Sequence, residues 1–147
     1  MKRLLLAVIA VAMLGFLCGM GNLGERAKPQ EIPLPDRNFI ATLTDSEGMV
    51  VNLRKVSVEG ETCIVGRFGS GMMSVDFDKI RMVRFRHSED AFLALLELKS
   101  GKSLKMEVSP DLRFYGETDF GNYMIRLRDI TVLRIEGVAS GIEKKER

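Results

Sequence analysis

The chain has 147 residues, with 22 basic and 20 acidic side chains, one histidine, two cysteines and no tryptophan. Two of the basic residues, Lys2 and Arg3, precede an uncharged run, so the chain from residue 22 onward holds 20 of each sign and is formally neutral. That balance gives no basis for a nucleic-acid partner, and one histidine with one remaining cysteine is too few for a structural zinc site.

The uncharged run extends from Leu4 to Gly24 behind Lys2 and Arg3. A cationic end followed by an apolar core is the plan of a signal peptide, because the apolar helix enters the bilayer while the charges stay on the cytoplasmic side. Gly19 and Gly21 set small residues three and one before a scissile bond at Asn22. Residues 1–21 are therefore expected to be a signal peptide. The alternative is an uncleaved anchor, since about 20 apolar residues also span a bilayer. Either way the remainder is exported, to the periplasm or beyond, or held at the cytoplasmic membrane through residues 4–24. Cys18 has the wrong neighbours for lipid attachment: Leu17 precedes it, where a small residue is needed.

Residues 22–38 contain Pro29, Pro33 and Pro35 among charges and form an extended linker. From Phe39 to residue 137 the pattern is strand-like, with β-branched and aromatic runs cut by Gly, Asp and Ser. Met73, Val75 and Phe77 alternate with Ser74 and Asp76, and Leu104, Met106 and Val108 alternate with Lys105 and Glu107. Ser88–Leu98 has helical propensity in isolation. Residues 138–147 form a charged tail.

The second half of this region repeats the first. Phe39-Ile40-Ala41-Thr42-Leu43 returns as Phe92-Leu93-Ala94-Leu95-Leu96, offset by 53 positions. Val75–Phe85 returns as Ile125–Ile135, offset by 50, so the second copy is three residues short near Ser109–Asp111. The repeat predicts a strand at Phe92–Leu98 against its local propensity, because its counterpart Phe39–Leu43 is plainly one. The expected fold is all-β: two tandem five-stranded antiparallel units of about 47 residues each, 39–87 and 92–137. Five strands with a tight corner before the last resemble an SH3-like or Sm-like small barrel in architecture. The corners would be Asp78-Lys79-Ile80 and Arg128-Asp129-Ile130. Units this short are marginal alone, so they should pack as a pseudo-symmetric pair of barrels or as a sandwich.

Few residues suggest chemistry. His87 begins the polar run His87-Ser88-Glu89-Asp90 at the joint between the units. A hydrolase would need a pocket joining His87 and Asp90 to a serine; a joint needs only polarity. Asp76, Asp78, Asp45 and Glu47 fall short of the six to eight ligands of a calcium site, so no metal or cofactor is expected. Gly66–Gly71 lacks the helix that a phosphate loop requires. Cys63 lies in an apolar run and packs as a small hydrophobe. The arginines stand out: Arg84 matches Arg134 across the repeat, with Arg126 and Arg128 on the second copy. Arginine on a sheet face clamps carboxylate or phosphate, which suggests an anionic envelope component or a protein as partner. The competing role is cross-strand pairing with Asp76, Glu97, Glu107 and Glu117. The expected function is that of a non-enzymatic binding or structural module of the bacterial envelope. Its alternatives are an anchored accessory subunit and, last, a hydrolase.

Overall fold

The computed structural model describes residues 32–140. The expected signal or anchor segment, with residues 22–31 of the expected linker and 141–147 of the expected tail, lies outside the described residues. Among the described residues no helix is long and apolar enough to cross a membrane.

Ten strands follow in chain order: β1 Phe39–Asp45, β2 Val50–Val58, β3 Cys63–Phe68, β4 Gly71–Asp76 and β5 Ile80–His87. The second half gives β6 Phe92–Leu98, β7 Ser103–Glu107, β8 Arg113–Thr118, β9 Gly121–Arg126 and β10 Ile130–Val138. Short 3-10 turns, Phe77–Lys79 and Leu127–Asp129, make the two expected corners. Phe92–Leu98 is a strand despite its composition. Phe92, Ala94 and Leu96 are buried while Leu93 and Leu95 are not, and burying one face at period two outweighs helix propensity.

The strands form one antiparallel sheet in the order β4-β3-β7-β6-β5-β10-β1-β2-β8-β9. Exchanging β1–β5 with β6–β10 turns that order into its own reverse. The centre lies between β5 and β10, where Val83 faces Leu133. On either side, each half gives a hairpin to the other. The β3–β4 hairpin lies on β7, and the β8–β9 hairpin lies on β2. In place of two barrels or a sandwich there is thus a single curled half-barrel sheet.

Two glycines permit the close approach that this exchange requires. A Cβ on Gly66 would stand 2.7 Å from the Glu107 carbonyl oxygen, and one on Gly116 would stand 3.0 Å from Leu53 Cβ. Only a residue without a side chain lets a hairpin approach the neighbouring strand so closely.

The inner face carries one core. Phe39, Ala41 and Leu43 of β1 and Phe92, Ala94 and Leu96 of β6 are buried in the same alternation. Ile80, Val83 and Phe85 of β5 match Ile130, Leu133 and Ile135 of β10. The corners add Phe77 and Leu127, both fully buried. Phe77 meets Phe39 edge to face with ring centroids 5.6 Å apart. Each such side chain contributes about 1.5–3 kcal/mol by leaving water. Arg37 fastens the chain entering β1: its guanidinium lies 4.7 Å from the Phe39 ring centroid and bonds to Asp78. That hydrogen bond holds the Asp78 carboxyl below the usual carboxylate range.

Candidate functional site

Strand alternation sends Arg84 and Arg134 to the outer face of the two central strands. Arg84 pairs across β5–β10 with Val132, and Arg134 pairs with Met82, so the two arginines are diagonal neighbours. Such neighbours lie about 7–8 Å apart, within reach of one ligand. Arg84 is already committed in part. Its Nη1 lies 3.2 Å from Glu97 Oε1, and Arg81 reaches the other oxygen of Glu97 at 2.8 Å. Arg134 has no carboxylate partner among the described residues.

Arg126 and Arg128 are placed elsewhere. Both reach Asp111 Oδ1, at 3.5 and 2.8 Å, in the connection between β7 and β8. They tie that connection to the second corner and do not join Arg84 and Arg134. Other anticipated carboxylates are also paired: Glu107 with Arg67, and Glu117 with Lys55. Exposed pairs of this kind contribute at most about 1 kcal/mol each.

A groove of about 800 Å³ lies on a different part of the molecule. One wall is the β3–β4 hairpin, with Val65, Gly66, Arg67 and Met72. The second is residues 87–92, the joint between the halves, and the third is Val108, Ser109, Pro110 and Leu112. Apolar surface dominates its floor, and Met72 is 71% exposed there. Glu89 and Asp90 stand at its rim with no ion-pair partner among the described residues. Arg67 in the same wall is neutralised by Glu107, so the rim is acidic.

His87, Ser88, Asp90 and Ser109 all line this groove, the residue types a hydrolase would require. Their arrangement is not that of a triad. The His87 ring lies 4.8 Å from the Phe92 ring centroid at 47°, a packing contact. Among the described residues no hydrogen bond joins His87 to Asp90 or to a serine; the Ser88 amide instead donates to the Ala91 carbonyl at 2.7 Å. A nucleophile and base act through such a bond. Among the described residues, no group of three His, Cys, Asp or Glu side chains converges on a metal position. Cys63 is a half-buried free thiol in β3.

Motif reading missed the groove because its walls come from three separate stretches. The signal that marks it is the shortfall near Ser109–Asp111, which falls in one of those walls. No curated protein and no solved structure matches the chain. A family model does match residues 35–138, from just before β1 to the end of β10, and the chain belongs to that family, described as uncharacterised protein.

Proposed function

We propose that this chain is an exported, non-enzymatic binding module of the bacterial envelope that holds a protein partner in the groove beside His87. On this proposal β1–β5 and β6–β10 are two copies of one unit, fused and exchanging hairpins. The mirrored strand order supports the duplication, and the shared burial of β1 with β6 and of β5 with β10 supports it too. The observation that carries the function is the groove itself: large, apolar in its floor and acidic at its rim. A concave, mainly apolar surface with charged groups beside it supports a binding role.

A second reading rests on the diagonal of Arg84 and Arg134, which would clamp an anionic envelope component on the outer face. One experiment separates the two. The Glu89→Lys/Asp90→Lys variant reverses the rim, and the Arg84→Glu/Arg134→Glu variant reverses the outer face; all four side chains are exposed. In crosslinked pull-downs from the producing cell, the groove reading expects the rim variant to lose the principal partner and the outer-face variant to keep it. The opposite result favours the arginines. An ester- or peptide-hydrolysing activity abolished by His87→Ala contradicts the non-enzymatic assignment. Export by a cleaved signal peptide predicts a mature N-terminus at Asn22, whereas an intact Met1 in the membrane fraction supports the anchored form.

A further inference from the structure

The stretches that join matched positions of the second and third strands of each half differ in length, since β2 runs on past Arg54 to Val58 while β7 ends at Glu107, and the difference opens the groove. Eight residues, 55–62, lead from Arg54 to Cys63, but only five, 108–112, lead from Glu107 to Arg113. In the longer connection Lys55 takes a φ of +48° and β2 shifts register, which carries the strand onward along β8. Ser57 then faces Tyr115 and Val58 faces Phe114, and the Glu59 amide donates to the Arg113 carbonyl at 2.9 Å. Val56 and Val58 are buried by this extension. The shorter connection has no such extension. β7 stops at Glu107 and meets β3 at one position, Arg67. The places corresponding to Tyr115 and Phe114 are Val65 and Ile64; Val65 lines the groove, beside Gly66, while Ile64 is buried beneath it.

Hairpin geometry decides which backbone groups face this gap. The two-residue turn Gly69-Ser70 closes on Phe68 and Gly71, a hydrogen-bonded pair, so Gly66–Met73 and Ile64–Val75 also exchange bonds with β4. Val65 therefore turns its N–H and C=O away from β4, toward the groove. No backbone group among the described residues meets them.

We propose that the groove takes an extended peptide, added as a short strand on β3, with its backbone bonded to Val65 as Ser57 is to Tyr115. This rests on the groove being the binding site and specifies how it binds. The other half of the molecule displays the chemistry of the occupant: an apolar residue, a small one and another apolar one, as in Val56-Ser57-Val58. Strand addition supplies affinity through the main chain, while alternate side chains fill the apolar floor. The uncompensated Glu89 and Asp90 favour a basic residue flanking that core.

The probe is an acetylated and amidated peptide Lys-Val-Ser-Val-Lys, beside the same peptide N-methylated at serine. Methylation removes the N–H that would bond to the Val65 carbonyl and leaves the side chains intact. With the full chain, saturation by the first peptide should slow exchange of the Val65 amide at least tenfold, and the methylated peptide should bind at least tenfold more weakly. If both peptides shift groove resonances equally and Val65 exchange is unchanged, strand addition is overturned while the groove remains a binding site. No shift at the groove with either peptide overturns the peptide proposal; the rim-variant pull-down then judges the groove separately. Protection of Val65 that rises with protein concentration and without peptide assigns the slot to a second copy, which also overturns it.

Discussion

Gly66 of β3 approaches Glu107 of β7 so closely that a Cβ on the glycine would stand 2.7 Å from the Glu107 carbonyl oxygen. The obstructing atom is backbone, with Val108 and Met106 side chains at 2.9 and 3.1 Å beside it, so nothing nearby gives way cheaply. Gly66→Ala should therefore cost about 1–3 kcal/mol, the usual price of overpacking. Gly116→Ala, whose nearest neighbours are the Leu53 side chain at 3.0 and 3.2 Å, should cost less. Urea unfolding of both variants measures the difference; equal and negligible costs would mean that the hairpins do not cross where described.

Ser57 predicts a gain. The residue is wholly buried and its hydroxyl has no hydrogen-bond partner among the described residues. A desolvated, unpaired hydroxyl opposes folding, so Ser57→Ala should be neutral or stabilise by about 1 kcal/mol. A loss of more than about 1 kcal/mol in thermal unfolding would reveal a partner for the hydroxyl and contradict this.

The two corners should matter alike. Phe77→Ala removes a fully buried ring from its edge-to-face contact with Phe39 and should cost about 3–5 kcal/mol. Leu127→Ala at the matching corner should cost about 2–5 kcal/mol. Chemical denaturation tests both, and one corner that tolerates truncation would show that the halves do not share a core equally.

Acid should loosen the entry to β1. Because Arg37 depresses the Asp78 carboxyl, the ionised form is favoured in the folded state. Its contribution is fully present above the ordinary carboxylate value of about 3.9 and is lost as pH falls through the lower folded value. Asp78→Asn should therefore lower Tm by a small constant amount above pH about 5, and converge with the parent only once pH has fallen below the depressed folded value. The pair is exposed, so about 0.5 M salt should shrink the difference. A difference that grows on acidification has the wrong sign for this pair.

Much of the fold was legible in single residues. Period-two alternation marked the strands, and the correspondence of Phe92–Leu96 with Phe39–Leu43 corrected a local helical preference. The exchange of hairpins was not legible, because whether β3 pairs with β2 or β7 depends on contacts some forty residues away, such as Arg67 with Glu107. Alternation is the same for either partner. The site divided in the same way. Arg84 and Arg134 were brought together because strand position alone decides their face. Arg126 and Arg128 were drawn to Asp111, a loop acid whose reach no strand pattern encodes. The groove needed both facts at once, the exchange of partners and the shorter connection.

Amide exchange at two matched positions, Val65 and Tyr115, distinguishes an open slot beside β3 from a closed one. Tyr115 is paired with Ser57 and buried, whereas Val65 faces an open slot. In dilute protein without ligand, the Val65 amide is expected to exchange at least a hundredfold faster than that of Tyr115. Equal protection at the two positions would mean that the slot beside β3 is already closed, and would contradict this expectation.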